Sequence, residues 1–203
     1  MRLDSAPPFS STTLCSTYQR INQRGQIFGQ REEQITDGSG VHFRIVSFLG
    51  EHVFRDVAAF EAIAITEKGG LLCSRDAAGR RESFVWNGSR FIPIDIGGGI
   101  PVGVRALGMN TKLQVIGEFE FVGRGGSAES FVWENGRMRP LTSLIPDEQR
   151  IWLRSIEPRT INDASCIMFA AKMSANSGGV HQQYFNLTLR ERGENLLELL
   201  RFE

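Results

Sequence analysis

The sequence predicts an all-β protein, a β-propeller-like array of about four four-stranded blades, closed or an open arc. A turn motif recurs along the chain at steps of 44, 44 and 52 residues. An aromatic motif follows it within each unit. The composition agrees, because 22 glycines in 203 residues, with 41% hydrophobic and 23% charged residues, describe a folded chain of short strands and frequent turns.

The turn motif first stands at Ile21-Asn22-Gln23-Arg24-Gly25-Gln26-Ile27-Phe28-Gly29. It returns at Ile65-Thr66-Glu67-Lys68-Gly69-Gly70-Leu71-Leu72-Cys73, at Met109-Asn110-Thr111-Lys112-Leu113-Gln114-Val115-Ile116-Gly117, and at Ile161-Asn162-Asp163-Ala164-Ser165-Cys166-Ile167-Met168-Phe169. An apolar residue, a short polar or glycine stretch and an apolar pair describe strand, tight turn and strand. The strand before the turn is supplied by Leu14–Ile21 in the first unit. In the second it is the alternating run Phe60–Ile65, and in the third Val102–Leu107. The aromatic motif is clearest at Ser83-Phe84-Val85-Trp86-Asn87-Gly88 and Ser130-Phe131-Val132-Trp133-Glu134-Asn135-Gly136, with weaker copies expected at His42-Phe43-Arg44-Ile45 and Gln183-Tyr184-Phe185-Asn186. Asn-Gly then signals a type I′ hairpin turn, since both residues tolerate positive φ, into the short runs Phe91–Ile94 and Met138–Leu141. The last run, Leu196–Leu200, fits a fourth strand or a short helix.

Four strands per unit at this period are what a propeller blade requires, because one blade cannot bury both faces alone. The units fall at about 14–58, 59–98, 101–145 and 150–203, forming one repeat domain over 14–203 behind a flexible segment, 1–13. The rival arrangement is a β-sandwich of unrelated hairpins.

The pattern Ile-Asn-x-x-Gly-x-Ile-x-Gly followed by Ser-Phe-Val-Trp-x-Asn-Gly-x-Met-x-x-Leu resembles the HAF repeat of probable extracellular proteins, whose consensus reads like INNxGQVVG…HAFLWxxGxMxDLG. The likeness spans residues 14–200 and departs at Ser83 and Ser130, where that family often has His. The resemblance implies a propeller related in architecture to Kelch and WD40 proteins, an extracellular location, and no catalytic residues to carry over.

Lys+Arg and Asp+Glu both number 23, so no global field draws the chain to nucleic acid or to anionic membranes. No apolar run approaches the ~18 to 20 residues of a membrane helix. Met1–Ser11 lacks an apolar signal core, and Cys15, Cys73 and Cys166 form no disulfide framework. Both features point to the cytoplasm or to a trimmed fragment, against the resemblance. His42, His52 and His181 lack zinc-site spacing; Gly97-Gly98-Gly99 lacks the Lys-Ser/Thr of a phosphate loop; no nucleophile elbow is present. No metal or cofactor is expected. The sequons at Asn87 and Asn186 read as coincidence.

In a four-stranded blade the loops between the second and third strands gather with the inter-blade loops on one face, the expected binding site. The candidates there are Arg31, Asp37, Arg75, Asp76, Arg80, Glu118, Arg124, Asp147, Arg150 and His181. Their mixed charge suits a protein or glycan partner of a non-catalytic module. The alternative is a propeller hydrolase or lyase using two of Asp37, Asp76, Glu118 and Asp147 as acid and base. Phe43, Phe84, Trp86, Phe131, Trp133 and Tyr184 are expected to form an aromatic core between blades, with an exposed sugar platform as the other possibility. The chain is expected to be a monomer, or a homo-oligomer that completes its open edges.

Overall fold

The structure is a computed structural model that describes residues 11–37, 40–49, 52–54, 60–77, 80–95, 101–121, 128–151, 153–174, 180–190 and 195–200. The described strands make four four-stranded antiparallel sheets, each an up-and-down meander. The first contains β1 (Ser11–Ile21), β2 (Ile27–Asp37), β3 (Gly40–Leu49) and β4 (His52–Phe54). The second contains β5 (Glu61–Ile65), β6 (Leu71–Ala77), β7 (Arg80–Trp86) and β8 (Phe91–Pro93). The third contains β9 (Pro101–Met109), β10 (Val115–Phe121), β11 (Ala128–Glu134) and β12 (Arg137–Pro140). The fourth contains β13 (Leu153–Ile161), β14 (Cys166–Ser174), β15 (Val180–Thr188) and β16 (Leu196–Leu200). The last run of leucines is therefore strand. A 3₁₀ turn, Leu141–Leu144, and a single-turn helix α1, Asp147–Arg150, link the third and fourth sheets. β1 begins at Ser11, so residues 11–13 of the segment expected to be flexible are strand; the rest of that segment lies outside the described residues.

The recurring turn has one chemistry in all four sheets. Asn22, Thr66, Asn110 and Asn162 each accept, through the side-chain oxygen, the backbone N–H four residues on, at 3.0, 2.9, 3.0 and 2.9 Å. Their own N–H returns a bond to the carbonyl of that same residue. The residue three places on stands at positive φ: Gly25, Gly69, Leu113 and Ser165. Glycine suits that position because it lacks the Cβ that makes the left-handed region costly. The expected type I′ Asn-Gly turn forms at Asn135–Gly136, where φ is 52° and 79°. It does not form at Asn87–Gly88. There β7 ends at Trp86 and β8 starts at Phe91, and Asn87 Oδ1 instead caps Ser89 N and Arg90 N.

Strand pairing fixes the true register of the aromatic motif. Gly29, Cys73, Gly117 and Phe169, equivalent positions after the turn, pair with Phe48, Phe84, Phe131 and Phe185. The first-unit copy is thus Ser47-Phe48-Leu49, not His42–Ile45, and the fourth is shifted by one residue onto Tyr184-Phe185. The reason is the long β2–β3 hairpin, which runs to the pair Asp37/Gly40 and carries Phe43 opposite Gln34, far from the turn. Phe43 is 58% exposed and joins no core. Phe131 and Trp133 are buried, whereas Phe84, Trp86 and Tyr184 are half-buried.

Residues 1–62 and 63–203 form two compact units, and the residues expected to make one domain, 14–203, are divided between them. The first unit buries Phe28, Val46, Leu49 and Phe60. In the second, one apolar cluster joins Leu72, Val85 and Ile94 to Val104, Ala106, Val115, Phe119, Phe131 and Trp133, between the second and third sheets. Another joins Ile116, Val132 and Leu141 to Ile161, Ile167, Phe169, Phe185 and Leu187, between the third and fourth. The third sheet is covered on both faces, which is why Phe131-Val132-Trp133 is a continuous apolar run rather than an alternation.

Candidate functional site

A serine at one register position joins the sheets of the second unit and defines the site. Ser47, Ser83 and Ser130 occupy the same place in β3, β7 and β11, one residue before the paired phenylalanine, and all are buried. Ser83 Oγ donates to the Val104 carbonyl on β9 at 2.8 Å and accepts from Ala106 N at 3.3 Å. Ser130 Oγ donates to the Ile156 carbonyl on β13, and within the first unit Phe60 N donates to Ser47 Oγ. Tyr184 stands at this position in β15. β8 and β12 pair with their neighbours only from Phe84 and Phe131 onward, beyond this point, so the β6–β7 hairpin extends past β8 and leaves a groove against β9.

That groove, a cleft of about 450 Å³ within the second unit, is lined by Arg75, Arg80, Arg81, Glu82, Phe84 and Asp95 above Ser83, Gly103 and Val104. Alternation along β7 puts Arg80, Glu82 and Phe84 on one side with Arg75 of β6, and Arg81 with Ser83 on the other. Arg75 Nε and Nη2 donate to Glu82 Oε2 at 3.0 and 2.9 Å, while its guanidinium lies over the Phe84 ring, 5.0 Å from the centroid. Arg80 Nη2 reaches Glu82 Oε1 at 3.3 Å, and Arg81 Nη2 donates to Ser74 Oγ at 2.7 Å. Hydrogen bonding from Arg75, reinforced by the charges of Arg75 and Arg80, holds the Glu82 carboxyl below the usual carboxylate range. Beneath, burial pushes the Cys73 thiol up to about 12, against the opposing charge of Arg75. That thiol stays protonated and is a core group rather than a nucleophile.

Of the residues expected on a binding face, Arg75 and Arg80 come together here, with Asp76 exposed on the neighbouring position of β6. They lie on strand arms rather than in loops. Arg31, on β2, is engaged within the first unit, where its Nε and Nη2 donate to the fully buried Glu33 at 3.0 and 2.7 Å. Glu118, on β10, lines the equivalent groove one sheet further on. Asp147 and Arg150 pair with each other on α1 at 2.7 Å. Asp37 ends β2 and His181 pairs with Met173 on β15; Arg124 lies outside the described residues. The four carboxylates weighed as acid and base stand on four different elements, β2, β6, β10 and α1. Among the described residues no group of three or more His, Cys, Asp or Glu is placed to hold a metal. Glu82 and the latch serines are not among the candidate site residues of the sequence; the signal for Glu82 is the Arg80-Arg81-Glu82 run, and for Ser83 and Ser130 their place at the head of the aromatic motif.

No family model and no curated protein matches this chain. What the sequence and geometry define is a class: an all-β chain of four meander sheets, the second to fourth joined by buried hydroxyl latches, with an arginine-lined cleft at the junction of the second and third.

Proposed function

We propose that the chain is a β-propeller-like repeat scaffold of the kind its HAF-like motifs suggest, and that it acts as a non-catalytic binding module for a protein or glycan partner. The observation that carries this reading is the cleft at Arg75, Arg80 and Arg81, where charged side chains converge on a junction between two rigid sheets. Such a site recognises a ligand through fixed hydrogen-bond donors. Glu82, the carboxylate at its centre, is engaged by two arginines, which suits recognition better than proton transfer, since a general acid or base needs a pKa near the working pH. The test is a screen of the purified chain against arrayed glycans and a panel of proteins, with hydrolase and lyase assays on every glycan bound. Saturable binding without turnover is expected. Turnover of a bound glycan would replace this reading with an enzymatic one, and absence of any saturable partner would remove it.

A further inference from the structure

We infer that the cleft between the β6–β7 hairpin and β9 takes a saccharide bearing a carboxylate, a uronic-acid glycan. This rests on the binding-module reading and names its ligand class. The repeat supplies an internal comparison. The groove between the third and fourth sheets is built on the same register, with Ala128 in place of Arg81, Ser155 in place of Gly103 and Glu118 in place of Ser74, and its volume is similar, about 520 Å³. Its charges are balanced, two arginines, Arg105 and Arg159, against Glu118 and Glu157, with Arg159 and Glu157 paired at 2.8 Å. The Arg75 cleft is lined by three arginines, Arg75 and Arg80 on one side of β7 and Arg81 on the other, and by two carboxylates, Glu82 and Asp95. The scaffold needs no such excess at this junction, because the other one is closed by the same serine latch without it.

The mixture of groups selects among anionic ligands. Arginine forks match a carboxylate, and Glu82 and Asp95 beside them accept hydrogen bonds from hydroxyls. A sugar acid offers one carboxylate and several hydroxyls, so it uses both sets. An acidic peptide brings carboxylates close together and places some of them against Glu82 and Asp95. Arg75 is held by Glu82 and Phe84, and Arg81 by Ser74. Arg80, 51% exposed and 3.3 Å from Glu82, is the cation at the mouth that meets the incoming charge.

The experiment is calorimetric titration of the full chain with trigalacturonate, neutral galactotriose and a tri-glutamate peptide, repeated on Arg80→Gln, whose side chain is exposed and outside the core. Trigalacturonate should bind at least tenfold tighter than either comparison ligand, and Arg80→Gln should weaken it at least tenfold with an unchanged melting temperature. Equal binding of galactotriose, or of tri-glutamate, would overturn the inference. Trigalacturonate binding that Arg80→Gln leaves unchanged would overturn this site while the binding-module reading stands. No trigalacturonate binding by the folded chain would also overturn the inference, whereas loss of the broader reading requires that the glycan and protein screen find nothing.

Discussion

At the scale of single residues the buried hydroxyl at the sheet junction makes the sharpest contribution. Ser83 satisfies a carbonyl and an N–H from β9 at once, at a buried position. Ser83→Ala keeps the shape and removes both bonds, leaving buried polar groups of Val104 and Ala106 without that partner, and should cost about 1–3 kcal/mol. Chemical denaturation measures this; a loss below about 0.5 kcal/mol would show the latch to be incidental. Asp163 links neighbouring turns in a different way. Its Oδ1 accepts Thr111 N at 2.8 Å, and that backbone bond, followed by the Thr111 hydroxyl and the charges of Lys112 and Lys68, keeps its carboxyl below the usual range. A depressed folded pKa means that the contribution is complete above the unfolded pKa and is lost as pH falls through the folded one. Stability of the native chain should therefore decline below about pH 4, and Asp163→Asn should flatten that decline while Glu82, also depressed, preserves part of it. Denaturation midpoints between pH 6 and 3 would show it; identical slopes for the two proteins would refute it.

At the scale of the element, the turn and the close strand pair are governed by different physics, and they were not equally legible. The Asn-x-x-Gly turn is readable from sequence because both its causes are residue-specific: an amide oxygen that caps the turn and a glycine that accepts positive φ. In the third and fourth copies Leu113 and Ser165 occupy the positive-φ position, so only the flanking apolar pairs and the spacing reveal them. The register of β3 and the extent of the hairpin arms were hidden. Arms beyond the short fourth strands carry few apolar residues to alternate, so Arg75, Arg80 and Glu118 read as loop residues although they are paired strand. Phe43 reads as the paired aromatic although Phe48 holds that place, because the length of the β2–β3 hairpin is not written in its residue pattern. Close approach is equally invisible in sequence: on Gly117 a Cβ would meet the Arg105 carbonyl and the Phe131 ring, the latter at 2.7 Å. Gly117→Ala should therefore cost about 1–3 kcal/mol through overpacking, despite alanine's ordinary suitability elsewhere in a strand. Thermal unfolding is the direct check, and an unchanged or raised midpoint would mean that Phe131 moves aside without loss.

At the scale of the whole molecule the question is what becomes of the sheet edges. Among the described residues the fourth strands β4, β8, β12 and β16 have 3, 3, 4 and 5 residues, and β8 and β12 end in Pro93 and Pro140, which have no N–H to offer. Short edges and edge prolines both discourage pairing with another chain. These features protect the fourth-strand edge of each sheet and argue against assembly through those strands. Light scattering on the purified protein should give one species at 22.7 kDa, unchanged over a hundredfold range of concentration. Pro93→Val with Pro140→Val should restore two donors to these edges and introduce concentration-dependent association. A stable dimer of the native chain would contradict the edge argument.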